Sequence, residues 1–97
     1  MVRHTVIFTF KQNIDSNGQK DFFDAAQKLA AIPGVKKFEL LKQTSKKNKF
    51  DFGISMEFDD TNQYDQYSNH KDHLLFIQQY WLKYVEDFLE TDYSLLK

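Results

Sequence analysis

Apolar and polar residues alternate strictly at the start of the chain. Val2, His4, Val6, Phe8 and Phe10 occupy one face, and Arg3, Thr5, Ile7, Thr9 and Lys11 the other, which is the period of a β-strand. His4 is the one polar member of the apolar face. "NIDSNGQ" follows with turn and cap residues, and Asp15 or Ser16 is the expected helix N-cap. Phe22, Ala25, Ala26, Leu29 and Ile32 then recur at helical spacing, so this helix buries one stripe. Pro33-Gly34 ends it, because proline cannot continue the hydrogen-bond ladder and glycine accepts a left-handed turn.

The pattern returns to strands at Val35–Lys42, weakly, and at Phe50–Phe58 ("FDFGISMEF"), clearly, with "QTSKKNK" as the hairpin tip between them. "DDTNQYDQY" reads as a short capped helix. From Lys71 to about Val85 a longer helix carries Ile77, Tyr80, Tyr84 and Val85 on one side, and "DFLETDYSLL" reads as a last strand. The order β-α-β-β-α-β is the ferredoxin-like α+β arrangement: one four-stranded antiparallel sheet with its helices on one face. The other face, with Thr5, Ile7, Thr9, Leu41 and Ser55, is half apolar. Pairing it with a second copy would remove it from water, so a homodimer through the sheet face is expected.

Composition narrows the partners. Ninety-seven residues suit a single domain spanning 1–97, and 16% aromatic residues supply bulk for its core. A formal charge of -1 offers no electrostatic footprint for nucleic acid. Zero cysteines exclude disulfides, thiolate zinc sites and a cysteine nucleophile. No apolar window approaches a membrane span, and no secretory pattern opens the chain. A cytoplasmic location is the default expectation. Lys42, Lys46, Lys47 and Lys49 read as a solvated hairpin tip, and Glu86, Asp87, Glu90 and Asp92 as ordinary surface charge.

The opening strand "RHTVIFTFK", the helix end "IPGV", the strand "FDFGISMEF" and the stretch "YSNHKDHLLF" together resemble the stress-responsive A/B barrel, or dimeric α/β barrel, domain family. The likeness runs over nearly the whole chain. Its most specific part is His70 and His73 after Tyr67, similar to a His-Pro-x-His stretch of the family, with Lys71 in place of the proline. The resemblance implies a ferredoxin-like protomer that dimerises into a barrel wrapped by helices. The family it resembles includes stress-induced plant proteins, bacterial proteins of unknown role and a plant polyketide cyclase making olivetolic acid, in which pocket histidines and tyrosines promote an aldol-type ring closure. His4, Tyr67 and His73 match functional positions of that cyclase. A third pocket histidine falls at Phe52 and a helix tyrosine at about Ala26, so part of the polar set is missing.

Helical geometry supports the same residues. At about 100° per residue, His73 lies about 20° from Tyr80 and from Tyr84 and about 40° from Ile77, whereas His70 is about 60° off that line. His73 is therefore expected to point inward and His70 to help begin the helix. His4 lies on the strand face that packs against this helix, and Tyr67 is placed at the rim of the interface. A neutral imidazole at His73, with His4, suits general acid–base work, and Tyr67 suits hydrogen-bond donation to a carbonyl or enolate oxygen. The competing reading is a set of satisfied interior polar groups. A three-histidine metal site is the weaker alternative, and neither metal nor cofactor is expected. The leading expectation is small-molecule binding in this pocket, then a cyclase- or isomerase-like enzyme, then a dimeric-barrel monooxygenase.

Overall fold

A computed structural model describes residues 1–97. Strand β1 (Val2–Phe10) leads to helix α1 (Ser16–Gln27), which tightens into a 3₁₀ turn over Lys28–Ala31. Strands β2 (Lys36–Lys42) and β3 (Phe52–Phe58) follow, then helices α2 (Thr61–Asn69) and α3 (Lys71–Phe76). The helical path continues through a π turn at Ile77–Trp81 and a final turn, α4 (Leu82–Tyr84), into strand β4 (Val85–Ser94). The sheet order is β2-β3-β1-β4 with every neighbouring pair antiparallel, the ferredoxin-like arrangement expected from the pattern.

Local chemistry accounts for the boundaries. Asp15 caps α1 by accepting from the Gly18 amide at 2.9 Å, and Asp60 caps α2 by accepting from the Gln63 amide at 2.9 Å. Gly34 adopts φ 92°, and a Cβ there would come within 2.7 Å of Gln63 Oε1, so the turn requires glycine. β2 begins one residue later than its apolar pattern suggests. The cause is an irregular start: Lys37 takes φ 52° and the β2–β3 register shifts between Lys36 and Glu39. β3 likewise begins at Phe52 rather than Phe50, whose carbonyl accepts from the Gln43 side chain and whose amide donates to the Asn48 side-chain oxygen, holding the loop instead.

The long helix is not a continuous α-helix. Bonding from i to i+5 in the π turn brings residues five apart onto one side. Phe76 and Trp81 consequently both enter the core, and Tyr80 is only partly buried. Their aromatic neighbour is Phe22, with ring centroids 5.5 Å from Phe76 and 6.0 Å from Trp81. Phe8, fully buried, lies within 5.3 to 5.9 Å of Phe10, Phe22, Phe52 and Trp81. Phe52 and Ala26 belong to this apolar packing.

On the opposite face the register aligns an apolar row across all four strands. Leu41 pairs with Gly53, Gly53 with Ile7, and Ile7 with Leu89. Leu41 and Leu89 are 44% and 51% exposed. A polar row beside it holds Ser55, Thr5 and Thr91, with Thr5 Oγ1 donating to the Thr91 carbonyl at 3.0 Å.

Candidate functional site

His4 continues the inward face of β1 and is the one polar residue among the buried set. Its cross-strand partner on β4 is Asp92, and Glu90 lies two residues earlier on the same face. His4 Nδ1 is 2.7 Å from Asp92 Oδ1 and 3.4 Å from Glu90 Oε2. Tyr64, from α2, lies over this group. Its hydroxyl is 3.0 Å from His4 Nδ1, 2.9 Å from Asp92 Oδ2 and 3.1 Å from Glu90 Oε2. A carboxylate can only accept, so the network assigns the Nδ1 proton to a bond with Asp92 and leaves Nε2 of a neutral His4 as an acceptor. Burial pushes the Tyr64 phenol well above its ordinary range, and the adjacent Asp92 and Glu90 carboxylates reinforce that shift.

Tyr67 lies one helical turn beyond Tyr64. It is not at a rim: at 2% exposure it is enclosed, its ring 6.4 Å from His4 and 4.6 Å from His73. It is thus a neighbour of both imidazoles. Burial raises its phenol well above the usual range, with a smaller contribution from the Glu90 charge, so it stays protonated as a donor. His73 donates from Nδ1 to the Ser68 carbonyl at 3.0 Å, which turns its Nε2 into the free acceptor. Burial lowers its proton affinity below the ordinary imidazole value. The Ser68 carbonyl and Glu90 oppose that, and the His4 ring adds to it.

His70 takes the other role expected for it. Its backbone is extended (ψ 139°), and its Nδ1 accepts from the Asp72 amide at 3.1 Å, so it caps α3 and does not line the cavity. The three histidines therefore do not form one ligand set.

His4, Tyr67 and His73 line one cavity of about 320 Å³ between helices and sheet, within the usual size range of ligand sites. The rest of its wall is mainly apolar, including Val6, Ile54, Met56 and Ile77. Leu82 and Phe88, 62% and 49% exposed, also border it. Three further polar residues, Tyr64, Glu90 and Asp92, join this constellation although periodicity alone does not select them. The alternation Phe88-Glu90-Asp92 holds the available signal, since it puts both acids on the same face as a large aromatic. Only the β1–β4 register reveals that this face meets His4.

Fold and site together define a ferredoxin-like α+β domain whose helix–sheet interface holds an apolar cavity with a histidine–tyrosine wall. The sequence profile of the stress responsive A/B barrel domain matches residues 2–95, and the chain belongs to that family. A family protein from Mesorhizobium loti with a ferredoxin-like fold is 46% identical, covers 99% of this chain and 97% of its own, and superposes with a TM-score of 0.93. A dimeric ferredoxin-like protein from Thermobifida fusca is similar in fold at 21% identity, covering 97% of this chain and 90% of its own with a TM-score of 0.83. A hydroxynitrile lyase from Passiflora edulis is similar in fold at 15% identity, with coverage of 97% and 92% and a TM-score of 0.87. Among curated proteins, none matches the sequence. No helix is long and apolar enough to cross a membrane.

Proposed function

We propose that the cavity binds a small, mostly apolar molecule with one polar head, oriented by His4, Tyr67 and His73. The observation that carries this reading is the convergence of two imidazoles and a phenol on one cavity of about 320 Å³ with an otherwise largely apolar wall. A buried polar set serving packing alone would close on itself. Instead, the hydrogen bonds occupy Nδ1 of both histidines and leave each Nε2 without a protein partner.

A second reading follows from His73. Its free Nε2 and lowered proton affinity suit a general base near neutral pH, with the Tyr67 hydroxyl donating to a carbonyl or enolate oxygen. This is the chemistry of a cyclase- or isomerase-like enzyme or of a lyase, and the likeness in fold to a hydroxynitrile lyase is compatible with it. The test is thermal shift and product detection with a panel of small aromatic and aliphatic carbonyl compounds. Ile77→Trp, which fills the cavity from a partly buried position, should abolish ligand-induced stabilisation. His73→Ala should abolish turnover with little change in melting temperature. If His73→Ala unfolds the chain and no compound shifts the wild type, the three residues serve packing alone.

The active assembly in this reading is a homodimer through the open sheet face, supported by the row Leu41, Ile7 and Leu89 and by the dimeric Thermobifida fusca relative in fold. Light scattering at micromolar concentration should give about twice the 11.6 kDa chain mass. Leu89→Glu should shift it to monomer, and a monomeric wild type would refute the assembly. Zero cysteines are compatible with a reducing, cytoplasmic setting.

A further inference from the structure

Glu90 and Asp92 differ from most acids of the chain that form ion pairs. Glu57 pairs with Arg3, Asp59 with Lys36, Asp24 with Lys20 and Asp87 with Lys49, but no lysine or arginine pairs with Glu90 or Asp92. Their one basic partner is His4. Among side chains, the His4 ring N–H and the Tyr64 hydroxyl are the donors that face these carboxylates. Two adjacent carboxylates beside a nearly buried imidazole bring three ligand atoms close enough for one cation to bridge.

We propose that His4, Glu90 and Asp92 form a binding site for a divalent transition-metal ion. The strand register builds it. Asp92 is directly opposite His4, and Glu90 follows on the same face at a spacing of two. One ligand atom from each residue lies within 4.8 Å of the others. A tetrahedral ion with bonds of about 2.1 Å needs those atoms about 3.4 Å apart, so the half-exposed carboxylates need only small rotations. One nitrogen and two carboxylate donors favour Zn²⁺, Mn²⁺, Fe²⁺ or Co²⁺ over Mg²⁺ and Ca²⁺. Tyr64, within hydrogen-bond reach of both carboxylates, orients them.

The position has a functional meaning that does not depend on what the cavity binds. His4 and Glu90 both line the cavity, so a remaining coordination position would open toward it. Metal binding at Nδ1 also moves the ring proton of a neutral His4 to Nε2, converting it from an acceptor into a donor toward the cavity. His73 keeps its acceptor.

Isothermal titration of the EDTA-treated full chain with ZnCl2, MnCl2 and MgCl2 tests this, together with visible absorption of the Co²⁺ form. The expected result is one Zn²⁺ or Mn²⁺ per chain, bound more tightly than Mg²⁺, with Co²⁺ bands of nitrogen–oxygen ligation. Glu90→Gln, at a half-exposed position, should weaken binding by about tenfold or more, and Asp92→Asn likewise. Glu86→Gln, on the same strand but outside the cluster, should leave it unchanged. No binding by the wild type, or equal binding by the Glu90→Gln and Glu86→Gln proteins, would overturn the proposal.

Discussion

The two ends of the interface between sheet and helices are built from the same strand face and behave differently. At the Phe8 end, Phe8, Phe10, Phe22 and Phe52 meet ring to ring, and Phe8 and Phe22 have no exposed surface. At the His4 end, two alternating positions away, the chain leaves a cavity walled by imidazole and phenol. The strand supplies the same geometry to both. What differs is what lies above it: α1 brings phenylalanines, whereas α2 and α3 bring Tyr64, Tyr67 and His73. A contiguous core is thus packed solid at one end while the other keeps an open cavity.

Removing the packed end should have the largest effect. Phe8→Ala should cost about 3–5 kcal/mol, read as a lower urea midpoint, and unfold much of the population at ambient temperature. Truncation at the cavity end should cost far less, because His73 already borders open space. Equal losses at Phe8→Ala and His73→Ala would break the contrast.

Acid should sharpen it. His73 has a lower proton affinity folded than unfolded, so the unfolded chain takes up more protons as pH falls. Its contribution is fully present above the ordinary imidazole value of about 6.5 and is lost as pH falls through that value toward the lowered folded one. Stability from urea denaturation should therefore fall as the pH drops through about 6.5, and only modestly, because water still reaches part of the ring and screens it. His73→Phe should flatten the fall. The groups facing His73 are Tyr67, the Ser68 carbonyl, His4 and Glu90. Glu57 and Asp87, whose carboxyls are held low by Arg3 and Lys49, act only at lower pH. A local change tests the helix that covers the site. Asp60→Ala removes the cap of α2 and should cost about 1 kcal/mol, with ligand affinity falling more than at the equivalent α1 change, Asp15→Ala.

Most of the fold is legible in the sequence because the strands alternate and the first two helices start at capping acids. Residues that obey a local rule can be placed from the chain alone: His73 by helical period, His4 by strand period, His70 by its position before a helix. Tyr67 reads as a rim residue and is buried instead, because the angle between α2 and α3 is a tertiary property. The break in the long helix is not legible, since the α period places Tyr80 on the inward stripe, whereas in the fold Trp81 takes the core position against Phe8 and Phe22. Glu90 and Asp92 read as surface charge because pairing register between distant strands is not written in either strand alone.

The widened turn at Ile77–Trp81 also makes the chain sensitive to length. Deleting one residue there would leave two ways to heal. The turn could tighten to ordinary α geometry, dropping the indole out of the core, or β4 could slide by one residue. Because side chains alternate, that slide would exchange the strand's two faces, turning Leu89 inward and sending Glu90 and Asp92 to the open sheet face. Alanine at Gln78 should be silent, whereas its removal should dismantle a cluster more than ten residues away.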